Sequence, residues 1–248
     1  MHYVCSDIHG RYNDYLKILE MIDFKGEDTL YVLGDAIDRG NRPIDVLLDI
    51  KHRHNVIFLI GNHEHMMIQS ELYNDRMALY DWIQNGGETT LQQLEQLPSK
   101  EKLELMTWLT KQLLIEPCLK VSGRRYYLAH ACHTLADDYE EIRYCDAPQD
   151  VIRRVTWDRT YRNPIPSVLD YRFHNLYKAY PNTTLIIGHT PVQYCSYGIT
   201  TDDGSGRISK SRKGHLINID CGCAKGKPLG CLRLEDGKEF YVEQNINL

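Results

Sequence analysis

Gly34-Asp35-Ala36-Ile37-Asp38-Arg39-Gly40 follows directly on the apolar run Thr29-Leu30-Tyr31-Val32-Leu33. A short β-rich run that stops at a glycine and hands over to two carboxylates and an arginine reads as a strand delivering charge to a loop. Asp and Gly are also common turn residues, so the stretch taken alone fits a surface turn equally well. The flanking pattern decides between the two. Upstream, His2 to Ser6 reads as a buried strand, followed by the loop Asp7-Ile8-His9-Gly10 and then by Tyr15, Ile18, Leu19 and Ile22 at helical spacing, with Asn13 as N-cap. Downstream, Pro43 opens a helix carried by Ile44, Val46, Leu47, Leu48 and Ile50, and Val56 to Ile60 forms a third strand ending in Gly61-Asn62-His63-Glu64. Strands alternating with helices imply an α/β chain with a parallel sheet, in which ligands gather at the carboxyl ends of the strands. All three polar clusters fall there.

The rest of the chain extends this plan. Residues 64 to 114 read as a helical insert with a break at Gly86-Gly87, and Cys118 to Val121 and Arg125 to Ala129 flank the hairpin signal Ser122-Gly123-Arg124. The second of these strands ends in His130. Periodicity is poor from 135 to 181, which reads as a cap of loops and short helices, and Thr183 to Ile187 is a buried strand ending in Gly188-His189-Thr190-Pro191. Leu216 to Ile219, Gly230 to Leu234 and Phe240 to Glu243 are expected to close the chain as an antiparallel set. With no repeat and no linker, residues 1–248 are expected to form a single domain.

Composition narrows the function classes. The 29 basic and 34 acidic residues leave a net charge of −5, which offers no chain-wide attraction to nucleic acid or anionic lipid, so phosphate chemistry must rely on local cations. The first residues enter a strand without an export pattern, and no stretch approaches a membrane span, so a soluble, cytoplasmic protein is expected. The 8 cysteines are scattered, which favours reduced thiols, and Cys221-Gly222-Cys223 lacks the second pair of a structural zinc site.

Collected, the strand-end clusters supply Asp7, His9, Asp35, Asp38, Arg39, Asn62, His63, His130 and His189. Any one of these histidines singly fits a core residue and Asn62 a turn residue. Five strands ending in ligand-type residues at one edge point instead to metal. Imidazole mixed with carboxylate and carboxamide oxygen suits divalent manganese, iron or zinc. The candidates exceed what one tetrahedral ion needs. Two ions about 3.5–4 Å apart form a clamp for in-line displacement at phosphorus, with Asp35 as the natural bridge. His63 could protonate a leaving oxygen, Asp38 could orient it, and Arg39 offers a planar fork to phosphate oxygens.

These blocks, Ser6-Asp7-Ile8-His9-Gly10, GDAIDRG at 34–40, GNHE at 61–64, HAC at 130–132 and GHTP at 188–191, resemble the phosphoprotein-phosphatase branch of the metallophosphoesterases, in order and over residues 6 to 222. WIQNGG at 82–87 and NIDCGC at 218–223 are similar to compact bacterial and phage members. The resemblance implies a calcineurin-like β-sandwich flanked by helices with a dinuclear site at the sheet edge. It implies that Asp7 and His9 hold one metal, that Asp35 bridges, and that Asn62, His130 and His189 hold the other, manganese being the expected ion. It further implies His63 as general acid with Asp38 as partner, and Arg39 and Arg159 as phosphate ligands.

Two departures stand out. Ser6 replaces a glycine of the first block, and Ile60 replaces the arginine that precedes GNHE in protein phosphatases, so that a positive charge facing phosphate is expected to be missing. Ile60 is more similar to bacterial diadenosine tetraphosphate hydrolases. The leading expectation is a phosphomonoesterase acting on phosphoserine or phosphothreonine in protein. The alternative is a hydrolase of diadenosine polyphosphates, with Tyr161, Tyr171 and Tyr177 of the cap as stacking candidates and the basic stretch Arg207 to Lys213 as an attractor. A third reading, a silent metal-binding scaffold, predicts loss of a ligand or of His63 or Asp38, and none is lost.

Overall fold

The structure is a computed structural model, and it describes residues 1–131, 141–159, 182–195, 205–211 and 215–244. β1 (His2–Cys5), α1 (Tyr12–Met21), β2 (Thr29–Leu33), α2 (Pro43–His52) and β3 (Val56–Leu59) follow the alternation of the sequence. β1, β2 and β3 pair in parallel. Pro43 occupies the first turn of α2, where its missing N–H costs nothing. α1 starts at Tyr12, so Asn13 lies inside the helix rather than capping it; its Oδ1 accepts instead from the Arg42 guanidinium at 3.3 Å.

Four helices come next: α3 (Asn62–Tyr73), α4 (Arg76–Gln84), α5 (Glu88–Glu95) and α6 (Ser99–Thr110). β4 (Leu113–Val121) begins earlier than the sequence suggests and runs through Pro117, which is tolerated because the register with β5 (Arg124–Ala129) shifts between Glu116 and Leu119. Ser122 and Gly123, both at positive φ, make the tight turn between them. β6 (Ile142–Arg143), α7 (Gln149–Trp157), β7 (Thr183–Ile187), β8 (Ser209–Lys210), β9 (Leu216–Asn218), β10 (Leu229–Arg233) and β11 (Glu239–Val242) complete the described elements.

The strands form one mixed sheet in the order β11-β10-β1-β2-β3-β4-β5-β7-β9-β8, with β6 on β4. The closing antiparallel set is smaller than expected. β9 pairs in parallel with β7, while β10 and β11 form a hairpin on β1 at the opposite end. The period of two along each strand sorts side chains into two cores. In β2, Leu30 and Val32 pack under the helices, and Tyr31 and Leu33 face the other way. That second core draws Val4 and Leu232 from one end of the sheet and Tyr126, Ile186 and Ile217 from the other, so the sheet curls back on itself as a sandwich flanked by helices. Tyr126 Oη, donating to the Leu234 carbonyl at 3.0 Å, ties the two halves. Each fully buried aliphatic side chain, Val4, Leu33 and Ile186 among them, contributes about 1.5–3 kcal/mol relative to exposure.

Among the described residues no helix is long and apolar enough to cross a membrane. The cysteines at 5, 118, 145, 195, 221, 223 and 231 are free thiols. Cys223 donates to the Asp7 carbonyl at 3.1 Å and belongs to no metal-type cluster among the described residues. In the basic stretch, Arg207 pairs with Glu243 at 2.7 Å and Lys210 with Glu239 at 2.5 Å, so these two cations are already engaged. Tyr161, Tyr171, Tyr177, Cys132, Arg212 and Lys213 lie outside the described residues, as does much of the 135–181 cap.

Candidate functional site

Each ligand-type residue enters the site as its strand ends. β1 delivers Asp7 and His9, β2 delivers Asp35, β3 leads to Asn62 and His63, β5 to His130 and β7 to His189. Backbone bonds stitch these loops together: Asp7 N–H donates to the Gly34 carbonyl at 3.1 Å, His9 N–H to the Asp35 carbonyl at 2.9 Å, and Gly188 N–H to the His130 carbonyl at 2.9 Å. Asp7, His9, Asp35, Asp38, Arg39 and His189 all hold positive φ, between 47° and 71°. Such conformations cost of order 1–3 kcal/mol each and persist where the surroundings over-determine them. Gly61 is obligatory here, because a Cβ would lie 2.3 Å from Asp35 Oδ1 and 2.5 Å from Asp35 N.

All the ligand candidates are buried, and their donor atoms converge. His9, Asp35 and His63 form one cluster and Asp35, His130 and His189 another, with the atoms of each within 4.8 Å of one another. Asp35 belongs to both. Asn62 Oδ1 lies 3.1 Å from His130 Nε2, and Asp7 Oδ1 lies 4.0 Å from His9 Nε2.

Hydrogen bonds from the ring Nδ1 atoms fix how two of these rings are turned. His9 Nδ1 donates to the Ile37 carbonyl at 2.9 Å and His130 Nδ1 to the Leu33 carbonyl at 2.6 Å, so both rings turn Nε2 towards Asp35. Asp7 Oδ2 accepts from the Ser6 hydroxyl at 2.5 Å and from His189 N–H at 3.0 Å, which leaves Oδ1 towards the cluster. Among the described residues neither ring nitrogen of His189 has a hydrogen-bond partner, although the residue is only 4% exposed. A buried imidazole without partners beside a shared carboxylate is what a metal ligand looks like before its ion is added, and the mixed nitrogen and oxygen donors fit a pair of divalent ions.

The charges follow from this crowding. Burial opposes a charge on Asp35, but His130 and His63 outweigh it and hold the carboxyl well below its usual range. Burial pushes Asp7 up to about 6. Burial disfavours the imidazolium of His130, yet Asp35 raises it to about 9. His63 is likewise raised, with Asp35 and Asp38 overcoming burial. His9 and His189 are pushed well below the ordinary histidine value, by burial first and then by Arg39 and His130 respectively, so each offers a lone pair.

Beside the clusters, His63 Nδ1 donates to Asp38 Oδ2 at 2.5 Å. Arg39 reaches in from the solvent side, its two terminal nitrogens 2.7 Å from His9 Nε2 and 2.9 Å from His63 Nε2. Arg159 donates to Thr190 Oγ1 at 3.0 Å, which sets it against the His189 loop. The structure thus brings Asp7, His9, Asp35, Asp38, Arg39, Asn62, His63, His130 and His189 together, with Arg159 against the His189 loop. Ile60, which stands before Gly61, is fully buried and packs in the core under the helices.

Glu64 escaped the sequence reading. Its carboxylate accepts from Gly61 N–H at 2.9 Å, Asp35 N–H at 2.9 Å and Ala36 N–H at 2.8 Å, locking the β2 and β3 loops to the first turn of α3. Its position three residues into a helix, next to a helix start after glycine, is the signal that could have found it.

A family model for calcineurin-like phosphoesterases matches residues 3–204. A symmetrical bis(5'-nucleosyl)-tetraphosphatase of Citrobacter koseri is 24% identical, covering 99% of this chain and 95% of that enzyme. One of Salmonella paratyphi B is 29% identical, covering 97% and 93%. Among solved structures, a crystal structure of a candidate diadenosine tetraphosphatase has a TM-score of 0.60 at 20% identity, covering 98% of this chain and 94% of that one, which is a likeness of fold. The match over residues 3–204, on a fold whose strand ends carry these His and Asp clusters, shows that the chain belongs to the calcineurin-like phosphoesterases.

Proposed function

We propose that this metal-dependent phosphoesterase hydrolyses dinucleoside tetraphosphates symmetrically, diadenosine tetraphosphate being the leading substrate. The observation that carries the substrate is the end-to-end similarity to symmetrical bis(5'-nucleosyl)-tetraphosphatases, at 24% and 29% identity with at least 93% of each relative covered. Phosphoserine or phosphothreonine in protein, favoured by the motifs alone, becomes the second reading.

In the proposed site Asp7 and His9 hold one ion, Asp35 is shared, and Asn62, His130 and His189 hold the other. Two divalent ions there would supply Lewis acidity, lower the pKa of the attacking water and neutralise charge on the phosphate oxygens. The chain's own residues do the rest. Arg39, and Arg159 from the His189 loop, present guanidinium groups to phosphate oxygens and hold the phosphorus in line. Arg39 exchanges its bonds to His9 and His63 for bonds to substrate, which frees His63 Nε2 to face the leaving oxygen. Asp38, accepting from Nδ1, fixes the ring and stabilises its protonated form, so that a proton can pass from Nε2 to the departing phosphate.

The test is steady-state hydrolysis of diadenosine tetraphosphate and a phosphothreonine peptide side by side by the manganese-loaded protein. A preference for the dinucleotide of about a hundredfold in kcat/KM, roughly 2.7 kcal/mol of transition-state discrimination, is expected. The opposite preference would restore the protein-phosphatase reading.

A further inference from the structure

At the join of α4 and α5, in the stretch Trp82-Ile83-Gln84-Asn85-Gly86-Gly87-Glu88-Thr89-Thr90, two side chains and two carbonyls converge on the loop after β2. Trp82 Nε1 donates to the Asp38 carboxylate, 3.0 Å from Oδ1 and 2.9 Å from Oδ2. Thr90 makes a two-way contact: its hydroxyl donates to Asp38 Oδ1 at 2.5 Å and accepts from Asp38 N–H at 3.0 Å. Asp38, Trp82 and Thr90 are all fully buried.

Between those side chains, the Gly86 carbonyl accepts from Arg39 N–H at 3.0 Å and the Asn85 carbonyl from Arg39 Nε at 3.3 Å. The two glycines are needed for close approach. A Cβ on Gly87 would lie 2.5 Å from the Trp82 indole, and Gly86, at φ 97°, would place one 2.9 Å from the Arg39 stem. Asp38 and Arg39 themselves sit at φ 71° and 65°, so something must hold them in that conformation.

We infer that residues 82–90 form a positioning clamp, with Trp82 and Thr90 fixing the Asp38 carboxylate that orients His63 and with the Asn85 and Gly86 carbonyls aiming Arg39. The inference rests on the proposed roles of His63 and Asp38. A carboxylate left with a single partner can rotate about its side-chain bonds. Two further donors lock it, leaving one lone-pair direction for His63 Nδ1. The Trp82 and Thr90 half of the clamp acts through Asp38 and His63 and makes no contact with substrate in the proposed site, whereas the Asn85 and Gly86 half acts through Arg39. Loss of the Trp82 or Thr90 bond therefore lowers kcat while leaving KM nearly unchanged, by about 10- to 100-fold for a lost orienting bond of this kind.

The experiment is a double-mutant cycle on the manganese-loaded enzyme with phenyl phosphate and 4-nitrophenyl phosphate. Thr90→Val keeps the shape and removes the hydroxyl, Thr90→Ser restores it, and Trp82→Phe removes only the indole donor and serves if Thr90→Val does not fold. Thr90→Val and Trp82→Phe are expected to lower kcat by about 10- to 100-fold, Thr90→Ser to recover most of it, and Thr90→Val to add nothing in a His63→Asn background. Multiplicative losses from Thr90→Val and His63→Asn, or wild-type rates in Thr90→Val, overturn the clamp. The two esters separate this from the role of His63. A greater loss on phenyl phosphate, the poorer leaving group, is expected for His63→Asn. An equal loss on both esters removes the general-acid role, while the cycle still decides whether Thr90 acts through His63.

Discussion

Metal and protons compete for the same atoms in this site, and the competition has a calculable size. His130, which faces Asp35 and is raised to about 9, carries a proton at neutral pH, and the ion can take its Nε2 lone pair only when that proton leaves. At pH about 7 the deprotonation lies two pH units uphill, which weakens binding by roughly 2.7 kcal/mol relative to the fully deprotonated site. Because the proton is lost on binding, affinity rises with pH, by about tenfold per unit up to the His130 value. Below about pH 6 Asp7 takes up a second proton and the dependence steepens. The assay is titration calorimetry of the metal-free protein with manganese, in buffers of different ionisation enthalpy, which counts protons released. About one proton released at neutral pH, and about a hundredfold gain in affinity between pH 6.5 and 8.5, are expected. Affinity that does not change with pH, with no proton released, would refute the assignment of His130 as a ligand beside Asp35.

Three further outcomes follow from the geometry. His63→Asn is expected to lower kcat by about 10²–10⁴-fold while the protein still binds two ions; loss of one ion would instead make His63 the ligand that its place beside His9 and Asp35 permits. Gly61→Ala, whose Cβ would fall 2.3 Å from Asp35 Oδ1, should displace the shared carboxylate and reduce metal content by at least one ion per chain, measured by elemental analysis. Tyr126→Phe removes the bond to the Leu234 carbonyl across the sandwich and should cost about 1 kcal/mol in urea unfolding with activity retained; an unchanged midpoint would mean that the tie contributes nothing.

Much of the candidate site could be read from the chain because most of the candidate ligands come just after a short apolar run, so that the strand carries the information about where its end lies. Asp7, Asp35, Asn62, His130 and His189 needed only the rule that such ends share an edge. What could not be read depends on contacts between distant segments. Trp82 and Thr90 reach Asp38 across 44 and 52 residues, and Gly86-Gly87 looked like a mere helix break. Strand neighbours are equally non-local. The run at 216–219 has the same period-two pattern whether it pairs with β7 or with β10, and only the curl of the sheet selects β7. The substrate lies a step further off, because strand-end ligands define chemistry at phosphorus and not what the phosphorus is attached to.

The central claim is symmetrical cleavage of a dinucleoside tetraphosphate by the metal-loaded site. Its most direct test is the product analysis of diadenosine tetraphosphate incubated with manganese-loaded protein, separated by anion-exchange chromatography, with His63→Asn and chelator-treated protein as controls. The account predicts ADP as the sole nucleotide product, formed only by the metal-loaded wild-type chain at an appreciable rate. AMP and ATP in equal amounts, or an untouched substrate beside a rapidly dephosphorylated phosphothreonine peptide, would contradict it.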